Sequence, residues 1–181
     1  MKKLILFITF FLISASSFAQ EKKEFDNSLK ANPLGLLIGI GKINYEKKIS
    51  ESSSAQLGAS FFNYSASGDS FSGFGLIPEY RFYINDNAID GFYLAPFLKY
   101  NNLTVKSGGF KGALNIYRIG AKAGMQWLFG SNDNFVVDLA FGAKYSDFNL
   151  AVKDGSEDSF ENENLFTGIS PELHFAIGFA F

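Results

Sequence analysis

The chain has 181 residues, 47% hydrophobic and 17% aromatic, with 18 glycines, no cysteine and a formal net charge of −2. That is the size of one domain, and the lack of cysteine excludes a disulfide framework. A slightly acidic balance gives no basic footprint for nucleic acid, and one histidine beside 22 phenylalanines leaves few groups for proton transfer.

Met1 to Gln20 reads as an export signal. Lys2 and Lys3 form the charged start, Leu4 to Ala15 the apolar run, and Ser17-Phe18-Ala19 the small-x-small pattern, with cleavage expected after Ala19. The run of about 12 residues is too short to span as a helix. No cysteine follows the cleavage point to carry a lipid. The expected organisation is a signal peptide over 1–19, a flexible polar leader over 20–28 and a folded domain over 29–181. Past residue 20 no apolar stretch approaches the ~18 residues a transmembrane helix needs.

From Leu29 onward the hydrophobic pattern has period 2, the mark of strands with two unlike faces. The segments in chain order are Ala31–Ile38, Lys42–Ile49, Ala55–Ser65, Gly73–Ile84, Phe92–Tyr100, Leu114–Phe129, Phe135–Asn149 and Thr167–Phe181. Gly39 and Gly41 mark a tight first hairpin. Tyr117 to Phe129 is typical: Arg118, Gly120, Lys122, Gly124 and Gln126 alternate with Tyr117, Ile119, Ala121, Ala123, Met125 and Trp127.

Three features separate this pattern from a soluble sandwich. Aromatics stand at strand ends, with Phe82, Phe92, Trp127, Phe129, Phe135, Phe179 and Phe181 toward one rim and Phe74, Tyr100, Tyr117 and Tyr145 toward the other. The polar face mixes small residues with opposite charges, as a narrow barrel interior requires. Connections alternate between short (Ser50–Ser54, Asn85–Gly91, Ser131–Asn134) and long (Ala66–Ser72, Asn101–Ala113, Ala151–Phe166). The expected fold is all-β, an eight-stranded antiparallel transmembrane β-barrel with both termini on the short-turn side.

These features resemble the small eight-stranded outer-membrane barrels of the OmpA/OmpX-like superfamily, over roughly Leu29 to Phe181. More narrowly, Asn32-Pro33-Leu34-Gly35-Leu36 followed by Ile43-Asn44-Tyr45-Glu46-Lys47 is similar to an uncharacterised family of exported Bacteroidetes-type barrels. Phe175, Ile177, Phe179 and the terminal Phe181 resemble the C-terminal signal read by the outer-membrane insertion machinery. The resemblance implies the outer membrane of a Gram-negative bacterium, assembly through that machinery and periplasmic chaperones, and the lipid bilayer as partner. A monomer is expected, and the narrower family supplies no defined chemistry.

Parity turns Lys42, Lys48, Arg81, Lys99, Arg118, Lys122 and Lys144 inward together with Glu46, Glu79, Asp138, Glu172 and His174. Charges in so narrow a space are expected to pair across strands, giving a sealed, salt-bridged interior. The basic excess supports a second reading, a narrow, weakly anion-preferring pore. Ser170, Glu172 and His174 share one face and invite a third, a lipid-modifying hydrolase. Residues four apart on a strand, however, lie about 13 Å apart, beyond the ~3 Å of a proton transfer. The acidic loop Asn149–Phe166 fails the calcium-loop pattern, with Ser159 where glycine and Leu165 where glutamate is required. No cofactor, metal or catalytic residue is expected, and the two longer loops, Asn101–Ala113 and Asn149–Phe166, are the expected surface display.

Overall fold

The computed structural model describes residues 24–66, 69–84, 87–107, 110–130, 132, 134–154 and 167–181. The segment expected as signal peptide and most of the acidic last loop lie outside these residues. Eight strands, each antiparallel to the next, close into a barrel in sequence order. They are β1 (Asn27–Ala31), β2 (Ile40–Ser50), β3 (Ser53–Ala66), β4 (Asp69–Tyr83), β5 (Gly91–Ser107), β6 (Phe110–Phe129), β7 (Phe135–Asp154) and β8 (Gly168–Ala180), with one helical turn, α1 (Pro33–Leu36), after β1. Asn27 and Phe181 exchange both backbone hydrogen bonds, at 3.0 and 2.9 Å, so the first strand and the chain end meet at the seam.

Alternation dictates which side each residue faces. Large apolar side chains point outward and stay exposed, among them Phe141 at 63%, Leu173 at 78% and Ile119 at 59%. Residues of the opposite parity on the same strands, Lys122, Asp138, Glu172 and His174, are buried inside. An eight-stranded barrel has an interior just wide enough for side chains to fill it, so whatever faces inward becomes the core. The β4–β5 ladder lapses around Pro78 and Pro96, which have no N–H to offer the neighbouring strand.

Two expectations change. The first strand is not Ala31–Ile38 but Asn27–Ala31, and it begins within the segment expected as leader. Asn32 stops it: extended at φ −96°, its side chain accepts the Gly35 N–H at 3.0 Å, and Pro33 opens the helical turn. This is the ordinary N-cap and first-position pairing, and it wins over the apolar run that follows. Gly39, at φ +77°, then reverses the chain into β2.

The second change concerns the long connections. Asn101–Ala113 is not a loop. β5 runs on to Ser107 and β6 starts at Phe110, paired throughout. β3 and β4 likewise stay paired up to Ala66 and Asp69, and β7 reaches Asp154. The strands thus continue past the upper aromatic band, where the sequence turns polar but stays β-compatible. From Phe92 to Tyr100 the chain rises about 20 Å at ~3.3 Å per residue and a ~40° tilt, close to the ~25 Å of an apolar band.

Gly178 sets how closely β1 approaches β8. A Cβ there would lie 2.0 Å from the Leu29 carbonyl oxygen and 2.6 Å from Lys30 Cα, both backbone. Gly178→Ala is therefore expected to loosen the seam and destabilise the barrel by about 1–3 kcal/mol. Urea unfolding in detergent micelles, compared with the wild type, checks this.

Candidate functional site

The interior divides into levels. At the short-turn end the connection before β5 folds inward: Ile89 is buried against Phe25, Val136 and Ala180, with Leu128 alongside. Ile89 has φ 77°, an outlier for a β-branched residue. It is held there by Gln126, whose Nε2 donates to the Ile89 carbonyl at 2.6 Å.

Above this apolar plug lies a layer of fully desolvated charge. Lys30 Nζ stands 2.6 Å from Glu46 Oε2 and 2.9 Å from Asp138 Oδ2, with no side-chain exposure on any of the three. Arg81 reaches Asp138 at 2.9 Å, Glu46 at 3.4 Å and Glu79 at 2.7 Å. Lys122 meets the other Glu79 oxygen at 2.7 Å. Further acceptor sites on Glu46 and Asp138 are taken by hydroxyls: Tyr83 donates to Glu46 at 2.7 Å and Tyr93 to Asp138 at 2.6 Å, while Ser28 and Ser54 also donate to Glu46. Arg81 lies 4.2 Å above the Tyr93 ring centroid, a cation–π contact strengthened by desolvation. Three cations face three carboxylates, and side chains from all but β8 of the strands, β3 through Ser54, reach the layer.

His174 supplies the contact from β8. Its Nε2 is 3.2 Å from Asp138 Oδ2 and its Nδ1 is 3.4 Å from Lys42 Nζ. A lysine ammonium can only donate, so Nδ1 accepts and Nε2 carries the proton toward Asp138. The His174 ring is thus engaged by Asp138 and Lys42 rather than by Ser170 or Glu172 of its own strand. Glu172 is held instead by Lys99 at 3.4 Å and by Lys144. Lys42, Lys99, Arg118 and Lys144, all part-buried, form an upper level around the buried Glu172.

Lys48 stands apart from both levels. Its Nζ pairs with Glu51 at 2.9 Å and Glu24 at 3.6 Å at the short-turn rim. The residue that sequence reasoning missed is Lys30, the cation at the centre of the layer. It lay just before the segment taken as the first strand; the Asn32-Pro33 pair was the signal that would have moved that strand back and turned Ser28 and Lys30 inward. Tyr93 was missed as an inward residue of β5 for want of a charged group to mark it.

The outer face carries the expected aromatics. Phe82, Phe92, Phe129, Tyr117, Tyr145, Phe179 and Phe181 are exposed there, while Tyr100, Trp127, Phe135, Phe175 and Ile177 are part-buried. Tyr100 sits 5.1 Å from Tyr117 and 6.4 Å from Phe74, and Phe135 packs on Phe179 at 5.7 Å, so ring contacts run across strands at both levels. An apolar groove of about 540 Å³ on this face passes Leu57, Leu76, Pro78 and Leu98, where the β4–β5 ladder lapses.

Residues 5–170 match the family described as protein of unknown function (DUF3575), and the chain belongs to it. No curated protein and no solved structure matches the chain.

Removing one partner from the desolvated layer strands the others. Lys30→Met is expected to cost about 3–5 kcal/mol, because Glu46 and Asp138 would keep only Arg81 between them while staying buried. Lys48→Met, at an exposed rim, is expected to cost under about 1 kcal/mol. Denaturant titration of both variants in one detergent checks the contrast.

Proposed function

We propose that this chain is an integral outer-membrane barrel of a Gram-negative bacterium, without catalytic activity, that acts structurally or through surface contacts. The observation that carries the reading is its inverted polarity: paired charges inside and a continuous belt of exposed Leu, Ile, Phe and Tyr outside. Such a surface is unfavourable in water and suited to hydrocarbon, and closure leaves no sheet edge around the belt's lower half. The alternating Phe175, Ile177, Phe179 and Phe181 along the last strand fit delivery through periplasmic chaperones to the insertion machinery, with the lipid bilayer as the constant partner and a monomer as the working unit.

The surface role falls to the strands that extend beyond the upper aromatic band, the β3–β4 and β5–β6 hairpins and the end of β7. The sealed reading is favoured over the pore because the Lys30–Glu46–Arg81–Asp138 layer has no exposed side chain and rests on the Phe25–Ile89–Val136 plug. For an enzyme, the face bearing Ser170, Glu172 and His174 offers no support, since His174 is engaged with Asp138 and Lys42.

Two measurements test this. On a gel, the unboiled chain should migrate differently from the boiled one and should fractionate with the outer membrane. A carbonate-soluble periplasmic protein would overturn the membrane reading. In planar bilayers the folded chain should give no stable unit conductance, and a reproducible unit step would favour the pore.

A further inference from the structure

Charge is divided unevenly between the two polar levels. The lower one balances Lys30, Arg81 and Lys122 against Glu46, Glu79 and Asp138. The upper one gathers Lys42, Lys99, Arg118 and Lys144 around Glu172 alone among the described side chains. Lys99 and Arg118 are direct cross-strand partners, and Lys144 sits opposite Gly120, two residues farther along β6. Arg118 donates to Asn101, but its Nε is buried without a partner. Four cations drawn together around one carboxylate repel one another, and an anion among them would relieve that repulsion.

The walls define what can reach this chamber. Its floor is the balanced charge layer. On the β5–β7 side it is roofed by Val105, Leu114 and Ile116 with Leu103 and Phe148. On the opposite side β1 ends at Ala31, whose partner in β8 is Ile177, so Gly168–Ala176 has no described strand along that edge. The reciprocal bond between Asn27 and Phe181 puts the odd residues of β8 in phase to aim backbone groups at this gap, and Pro171 has no N–H to leave there. Lys42 and His174 meet inside, across the gap. Outside, Leu34, Leu36, Leu37 and Ile38 of the α1 segment are exposed beside it, Leu37 at 83%.

We propose that the chamber formed by Lys42, Lys99, Arg118 and Lys144 binds a phosphate-type oxyanion. A doubly charged oxyanion offsets most of the excess left after Glu172, whereas a single carboxylate leaves the larger part. Arg118 offers a planar fork for phosphate oxygens and the lysines act as point charges around it. The phosphate can arrive free in water past the upper rim, or as the headgroup of a lipid whose acyl chains lie along the α1 leucines. Only the lipid route rests on the membrane reading above.

The test uses the full chain folded in detergent micelles. Inorganic phosphate is titrated calorimetrically in one arm, and micelles doped with dioleoyl phosphatidic acid, against diacylglycerol, are used in the other. Saturable binding in either arm is expected, and the arm that binds identifies the source. Arg118→Gln and Lys144→Gln should each weaken it by about tenfold or more, Arg118→Lys by less, and the outward-facing Lys47→Gln not at all. Gel mobility with and without boiling verifies that each variant is folded, and Arg118→Lys keeps the test open should a neutral substitution fail to fold. No saturable binding in either arm, or binding indifferent to the changes at Arg118 and Lys144, overturns the proposal. Fractionation is scored separately, so failure of the chamber leaves the membrane reading intact, and phosphate binding by a periplasmic chain would do the reverse.

Discussion

A carboxylate with no access to water stays ionised only if a cation stands against it, and in this barrel one lysine serves two. Lys30 bridges Glu46 of the adjacent β2 and Asp138 of β7, one strand beyond β8, while Arg81 reaches the same two carboxylates from across the interior. The pairs therefore constrain the closure itself: β1 must lie at one height for Lys30 to meet both partners. Gly178 lets it approach β8 at that height, and Asn32 with Pro33 ends it immediately afterwards. Replacing such a cluster with apolar groups can be neutral for stability in some proteins, so its clearest contribution is to register and specificity.

The same constraint explains what could be read in the residues. Strands β2 to β8 are long enough for period-2 alternation to repeat several times, and Tyr117–Phe129 or Phe135–Tyr145 leaves little doubt about its faces. β1 has only Asn27 to Ala31, too few positions to show a period, and it sits beside a more apolar run that looks more like a strand. That run, Pro33 to Ile38, is governed by a local capping bond rather than by hydrophobicity. Strand ends at the upper rim were equally hidden. Asn102 and Thr104 are polar on the outer side of a strand that runs on past the upper aromatics, and Asn101 faces inward to accept from Arg118, so polarity there does not mark a turn. Inward charges could be listed by parity, but their partners could not, because pairings such as Arg81 with Asp138 span strands far apart in sequence.

The two polar levels follow different physics. The lower one is closed on every side and balanced, which suits a rigid core that excludes water and ions. The upper one is part-exposed and unbalanced in favour of cations, next to the stretch of β8 that β1 leaves unpaired. Rigidity below and access above is an arrangement in which a barrel packed across its lower half can still hold something higher up.

All of this depends on the outer face meeting hydrocarbon. Trp127 is the only tryptophan in the chain and lies on that face near the short-turn rim, one residue from the buried Gln126. Its fluorescence, measured after refolding into vesicles whose acyl chains carry bromine at defined depths, tests the claim most directly. Quenching that is strongest for bromines near the headgroups and weaker toward the bilayer centre is the result this account predicts. Fluorescence unaffected by bromine at any depth would contradict it.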